Sequence, residues 1–329
     1  QNESARLLSD QAEIDDAHFQ AFRYACEERD WDAALADLLK AAELDPRRYW
    51  PFDLHRYQPV RILGAGGFGV AFHCRDTYAG NKNVTVKSLY TGDLDRPLDE
   101  LFREGNVLSE LRHPALIRVI HWAFADTFHR KRPYVVMEYF PGQTLRAYLD
   151  EHGVLVPADL LSLARLIAEA MFYAHQNNIL HRDLKPDNIL VRKTESGWDV
   201  KIIDFGLAVR FQAVRHSASK HASQRSLLEH SQAGTDKYAP PEQKGELKGV
   251  KVGPYSDVYA FGRTCCEALF QTTDPRMSEF RSLPREYQRP PGRLPGGGHP
   301  RGSSPPTPPK HPPRRFRVGA QGTRRHSAS

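Results

Sequence analysis

The spacing of apolar and polar positions changes period several times along the chain. Over residues 1–50 the period is helical. Phe19, Phe22 and Cys26 fall on one stripe, and after Asp30, a good N-cap, Trp31, Ala34, Leu35, Leu38 and Ala42 form a second. From about residue 56 the period shortens. YQPVRILG, GVAFHCRD and NVTVKSLY are alternating or β-branched and are separated by Gly- or Asn-containing turns, which predicts three consecutive strands. A helix is predicted over 97–112, then strands in LIRVIHWAF and RPYVVMEYF. The helical period returns at 157–177. It gives way to a strand, turn and strand through ILVRK, ESG and WDVKIID, and reappears at 256–270 after a long polar stretch over 207–237.

Beyond Leu283 neither period survives. Residues 284–329 hold eleven Pro and seven Gly but one Leu, one Val, one Phe and no Ile. Such a segment buries too little apolar area to offset its ordering entropy, so disorder is predicted. Two origins fit it, a genuine tail on a shortened domain or, the favoured one, an out-of-frame product of GC-rich coding DNA. The tail also explains the charge. It carries +9 (nine Arg, one Lys, one Glu), so the preceding 283 residues hold −3 of the total +6. The basic character is not a nucleic-acid-binding face.

The remaining composition, 40% hydrophobic and 26% charged over 329 residues, suits a globular chain large enough for two lobes. No apolar run reaches membrane-spanning length, and the polar start QNESARLLSD is no signal peptide, so a cytoplasmic location is expected. The chain starts at Gln1, as a fragment or processed chain would. Cys26, Cys74, Cys265 and Cys266 form no C-x-x-C pair and are expected to be reduced and mostly buried.

Four runs concentrate the chemistry. LGAGGFGV spaces Gly64, Gly66 and Gly69 as G-x-G-x-x-G, with Val70 after them. A dinucleotide fold would continue into a helix. VAFHCRD has strand character instead, so a strand–Gly loop–strand hairpin is predicted. Its glycines would let backbone amides approach phosphate oxygens, although a plain Gly-rich hairpin has the same pattern. In VTVKSL, Lys87 points away from the side of Val84 and Val86, toward solvent or an anion. Leu101, Glu104, Leu108 and Leu111 recur at i, i+3, i+7 and i+10, which puts Glu104 on the buried face of its helix. A buried carboxylate needs a partner, and Lys87 is the candidate.

In HRDLKPDNIL and the following IIDFG, Asp183, Lys185, Asn188 and Asp204 supply a carboxylate, an ammonium, an amide oxygen and a second carboxylate. Asn188 and Asp204 are hard oxygen ligands of the kind Mg²⁺ takes. Asp183 is then free to accept a hydroxyl proton and Lys185 to neutralise a phosphate. Taken alone, HRDLKPDNIL could equally be a solvated loop.

Together these runs resemble the eukaryotic-type Ser/Thr protein kinases, bacterial members in particular, over residues 56–283. The resemblance implies an α+β, two-lobed protein-kinase fold, with a β-rich small lobe over 56–140 and a helical large lobe over 141–283. A helical segment, 1–52, precedes it. Within that segment DWDAALADLLKAAELDP is similar to the second half of a tetratricopeptide repeat, Ala34, Leu38, Ala41 and Pro46 matching. One repeat cannot bury its own face. Either more repeats precede it or the hairpin docks on the next domain; a plain helical extension also fits. The segment is a possible surface for protein partners.

By the same resemblance, Leu63, Gly64, Gly66 and Gly69 would form the loop over ATP, and Val70 and Leu190 would sandwich its adenine. The backbone of Glu138 and Phe140 would hydrogen-bond the base, with Met137 as gatekeeper. Lys87, paired with Glu104, would hold the α- and β-phosphates, and Asn188 and Asp204 would bind Mg²⁺. Asp183 would be the catalytic base and Lys185 the γ-phosphate contact. Thr235, in GTDKYAPPEQ, would contact both. Glu242 would close the activation segment and Asp257 would anchor the catalytic-loop backbone.

The function implied is ATP- and Mg²⁺-dependent phosphorylation of Ser and Thr in protein substrates. Arg182 before the catalytic Asp suggests control by autophosphorylation at one of Ser217, Ser219, Ser223, Ser226 and Ser231. Some positions depart from the family. Thr85 stands where Ala is usual, which predicts weaker ATP binding, and Pro240 replaces the Ala of Ala-Pro-Glu. The later helices of the large lobe, and the Arg that would pair with Glu242, have no counterpart before the tail. The large lobe is therefore expected to be incomplete and Glu242 to lack a partner. That leaves an ATP-binding pseudokinase or regulatory scaffold as the alternative. A small-molecule kinase fits less well, because GTDKYAPPEQ resembles a peptide-docking segment.

Overall fold

Asp30 starts the second helix as its residue type predicts: its carboxylate accepts from Ala33 N at 3.1 Å, satisfying one of the unpaired amides of the first turn. The computed structural model describes residues 16–67, 69–90, 109–205, 236–247 and 249–283. It opens with α1 (16–27), α2 (Trp31–Leu44) and a one-turn α3 (Pro46–Tyr49), which Asp45 caps by accepting from Arg48 N at 3.0 Å.

The strand-period segments follow as β1 (Tyr57–Gly66), β2 (Gly69–Asp76), β3 (Lys82–Leu89), β4 (Val119–Asp126) and β5 (Lys131–Glu138). They form one antiparallel sheet in the order β1-β2-β3-β5-β4. The predicted helix over 97–112 falls largely outside the described residues, and Glu104 with it.

One face of this sheet is closed by the N-terminal hairpin. Phe22, Ala25 and Cys26 of α1 and Ala34 and Leu38 of α2 are buried in one cluster with Phe52, Ile62, Val70, Phe72, Cys74, Val84, Val86 and Val136. Of the alternatives left by the sequence, docking on the next domain is the one observed. Alternation sets which strand residues take part, since successive side chains point to opposite faces. The apolar stripe of α2 is resolved to the residue: Leu38 is 1% exposed and its neighbour Leu39 38%. Cys26 and Cys74 lie in this layer as free, buried thiols. Burial, with a smaller push from the Glu27 carboxylate, raises the Cys26 thiol to about 12.

The second lobe contains β6 (Gln143–Thr144), α4 (Leu145–His152), α5 (Pro157–Gln176), β7 (Ile189–Thr194), β8 (Gly197–Ile202), α6 (Pro254–Phe270) and α7 (Met277–Arg281). Thr144 Oγ1 caps α4 by accepting from Ala147 N at 3.0 Å. Helix α5 turns Leu160, Leu163, Ile167, Ala170 and Ala174 into a core shared with Leu145, Ile189, Val191, Ile202 and Ala260. The small sheet runs β6-β7-β8. At its end, Ile202 N donates to Ala115 O at 2.8 Å and Ile117 N to Ile202 O at 3.0 Å. That clasp joins β8 to the segment entering β4 and fixes the chain just before Asp204. Among the described residues no helix is long and apolar enough to cross a membrane.

Candidate active site

HRDLKPDNIL connects α5 to β7, and burial decides between the two explanations of its charge. Asp183 is 5% exposed, Lys185 8% and Asn188 6%. A solvated loop would leave these groups in water; these are desolvated and must be paired. Asp183 Oδ2 accepts from Lys185 Nζ at 3.0 Å and from Asn188 Nδ2 at 3.0 Å, and Asn188 Nδ2 also donates to Asp183 O at 2.7 Å. Asp183 Oδ1 is buried with no hydrogen-bond partner among the described residues.

The loop backbone is held from two sides. Asp257, near the start of α6 and 2% exposed, accepts from His181 N at 2.9 Å, Arg182 N at 2.7 Å and His175 Nε2 at 2.8 Å. On the other side His181 bridges two main-chain groups. Its Nε2 lies 2.9 Å from Ile203 O, and its Nδ1 accepts from Asp183 N at 3.2 Å. A carbonyl can only accept, so Nε2 carries the hydrogen, and a neutral ring satisfies both contacts. Burial holds the His181 imidazole below its ordinary range, against the opposing pull of Asp257 and Asp183.

A ring that titrates lower folded than unfolded contributes stability that is complete above the unfolded value near 6.5 and is lost as pH falls from there toward the folded value. The urea midpoint should therefore drop as pH is lowered below 6.5, and His181→Phe should flatten that slope, leaving the part added by His121, also held low by burial, and, further into acid, the part added by carboxylates such as Asp76, held low by its hydrogen bond from Arg56. An unchanged slope in the variant would show that the ring is not buried neutral.

Across the cleft, Lys87 Nζ lies 2.5 Å from Asp204 Oδ2, both side chains being about one-tenth exposed, 11% and 12%. Asp204 adopts φ of +64°. The β2–β3 register sets the cleft-facing side of the sheet: Ala71 is opposite Lys87 and His73 opposite Thr85. Directly opposed residues share a face, so Ala71 stands with Lys87 and Thr85. Val70 pairs with Ser88 and is buried in the hairpin-side core, which corrects its expected place against adenine. The error is one residue, and in a strand one residue exchanges faces. Leu190 lies between Ile189 and Val191, both buried in the core, so alternation turns it to the opposite side.

The loop glycines differ in kind. At Gly64 and Gly66 an added Cβ would meet nothing within 4 Å among the described residues, which leave this face open to a ligand. Gly69 has φ of +143°, and a Cβ there would run into the Ser88 carbonyl. Leu63 lies half-buried beside this loop on β1. In the segment after β5, Met137 is buried with Val119 and Val135 and lies opposite Thr85. The Glu138 carboxylate accepts from Lys201 Nζ at 2.6 Å and Arg118 N at 2.9 Å, while Phe140 O accepts from Gly142 N at 2.9 Å.

Thr235 and the five candidate serines lie outside the described residues. Glu242 does not lack a partner, contrary to expectation: Ser256 Oγ, in the first turn of α6, donates to its Oε1 at 2.7 Å. One cluster was not anticipated. Glu267 of α6, 6% exposed, accepts from Arg146 NH2 at 2.8 Å, Lys237 Nζ at 2.6 Å and the Tyr238 hydroxyl. The signal that marked Glu104 was present here too, since Ala260, Thr264 and Glu267 recur on one helical face at i, i+4 and i+7.

A family model described as the protein kinase domain matches residues 57–282. The chain is similar to the serine/threonine-protein kinase PknB of Mycobacterium tuberculosis, 34% identical over 219 residues that cover 65% of this chain and 32% of that protein. It is similar to the serine/threonine-protein kinase PrkC of Bacillus subtilis at 33% over 218 residues, covering 65% and 30%. The chain thus spans about a third of the length of these relatives. A crystal structure of a double mutant of the Mycobacterium tuberculosis PknI kinase domain superposes with a TM-score of 0.51 at 22% identity, over 69% of this chain and 81% of that one, which shows a shared fold.

Proposed function

The chain belongs to the protein kinase family, and from that premise we propose that it transfers the γ-phosphate of ATP to Ser and Thr hydroxyls of protein substrates with Asp183 as the base. The observation that carries this is the divided environment of the Asp183 carboxylate. Oδ2 is held by Lys185 and Asn188, which fixes the rotamer, while Oδ1 is buried and unpartnered among the described residues. An unpaired buried acceptor costs about 1–3 kcal/mol, and a substrate hydroxyl would relieve that cost while passing its proton to Oδ1.

The residues present fit a nucleotide and its metal. Asn188 donates through Nδ2 to Asp183 O and Oδ2, so its side-chain oxygen remains an acceptor, and with Asp204 it makes the hard donor set that Mg²⁺ takes. The open face at Gly64 and Gly66 admits phosphate to the backbone amides. When bound, Mg²⁺ would neutralise charge on the phosphates. Lys87 would exchange its contact with Asp204 for the phosphate oxygens, and Lys185, beside the base, would offset charge on the transferring group. Ala71 and Leu190 would line the adenine. Ala71 is small, which leaves room on that face beside the bulk of Thr85.

The proposal is tested by label transfer from ATP to a generic basic protein, with Asp183→Asn as control. Nucleotide binding without transfer by the unmodified chain would establish the scaffold alternative instead. We further infer autophosphorylation at one or more of Ser217, Ser219, Ser223, Ser226 and Ser231, with Arg182 as the partner of the phosphate. Phosphosite mapping after ATP incubation should find label between residues 207 and 237; its absence there would refute this.

A further inference from the structure

Arg182 directly precedes the proposed base and adopts φ of +66°, a left-handed conformation that residues with side chains rarely take. Something must hold it there. Its N–H is held by Asp257 Oδ1 at 2.7 Å. Its carbonyl, which belongs to the peptide plane leading into Asp183, accepts from Gln243 Nε2 at 2.7 Å. Gln243 sits in PPEQ, past the end of the expected activation segment. There Gln243 N donates to Pro240 O at 3.0 Å and Glu246 N to Pro241 O at 3.0 Å, so the residue projects from a wound turn rather than from a loose loop.

The neighbours of these two side chains are also joined. Ser256, adjacent to Asp257, donates to Glu242, adjacent to Gln243, at 2.7 Å. Two consecutive residues of α6 and two consecutive residues of the PPEQ turn thus close a ring through the Arg182 backbone. Asp257 holds the peptide group before Arg182 and Gln243 the one after it. We propose that Gln243 is a positioning residue for phosphoryl transfer: it locks the peptide entering Asp183 and ties the orientation of the base to docking of the PPEQ turn on α6. This rests on the phosphotransfer proposed above.

The geometry makes the role separable from nucleotide binding. Gln243 contacts the backbone of the catalytic loop, and Lys87 and the Gly loop belong to the five-stranded sheet on the other side of the cleft. Losing the donor should therefore lower kcat without weakening ATP. Gln243→Leu removes the donor; Gln243→Glu keeps the shape but presents a carboxylate that cannot donate to a carbonyl. In the full chain both should lower kcat about 10–100-fold with KM for ATP unchanged, the size expected from a small misplacement of a catalytic group. Both should also speed amide exchange at Arg182 and Asp183 while the melting temperature stays constant. Lys244→Ala, an exposed neighbour, should change none of these.

Unchanged kcat with unchanged exchange at Arg182 and Asp183 in both variants would overturn the inference. So would a loss confined to KM or to melting temperature. An unmodified chain that transfers no phosphate would refute the phosphotransfer proposal alone, because amide exchange still reads whether Gln243 holds the loop.

Discussion

Asp183→Asn is expected to lower kcat by about 10²–10⁴-fold, roughly 3–5 kcal/mol of barrier, and to leave ATP affinity unchanged. The size follows from what surrounds the carboxylate. Lys185 and Asn188 both donate to one of its oxygens. In the variant, that requirement turns the amide oxygen toward those donors and places the NH₂ where Oδ1 stood. The substitution then does more than remove a weak base. It presents a donor to the hydroxyl hydrogen that must leave, reversing the polarity of the contact. Neither change reaches Lys87, Asp204 or the Gly loop, so nucleotide binding should persist. Initial rates on a Ser-containing peptide, with nucleotide affinity measured separately, check both halves. Asp199→Asn, which breaks only an exposed pair with Arg192, serves as the silent control. A kcat within tenfold of the unmodified chain would remove Asp183 from the role of base.

The second large effect is far from the cleft. Leu38→Ala should destabilise the chain by about 2–5 kcal/mol, whereas Leu39→Ala should stay within about 0.5 kcal/mol. The two residues are neighbours of the same type on one helix; they differ in that Leu38 reaches the sheet and Leu39 is partly in water. The cavity left by Leu38 opens in the cluster that α2 shares with the sheet, to which Val84 and Val86 of β3, the strand of Lys87, also belong. The loss should therefore appear in the unfolding of the small lobe, and nucleotide should recover part of it through linkage. Denaturant titration with and without ATP measures this. If Leu38→Ala melts a separate hairpin transition and leaves the rest untouched, the hairpin is an independent module and not part of the lobe's core.

These two cases mark how far the sequence was legible. The strands and long helices were, because alternation in GVAFHCRD and the stripe from Leu160 to Ala174 are local signals with distinct periods. The charged loop was legible because buried apolar runs flank it. What lay beyond reach was pairing. The stripe on α2 says that something covers Leu38 but not that the sheet, met chiefly at β1, does. Val70 shows the related limit: the motif was recognised, yet face assignment in a strand fails completely with a slip of one residue, and only the register of Ala71 with Lys87 settles it. Helix α4, two turns long, carries too few residues for a period to emerge. Ser256 as partner of Glu242 was invisible for another reason. A hydroxyl in the first turn of a helix serves equally well as a local cap, and here Ser256 Oγ also accepts from Gly253 N at 3.1 Å.

The layer between hairpin and sheet has a use outside catalysis. Cys26 belongs to one side of it and Cys74 to the other, and desolvation raises both thiols far above the range in which they react with alkylating reagents. Each sulfur is thereby timed by a different event. Cys26 becomes reactive when α1 lifts, and Cys74 only when β2 loses its cover. Labelling the two with distinguishable masses would record whether the hairpin leaves before the strands open or together with them, so the chain carries its own stopwatch for the first step of its unfolding.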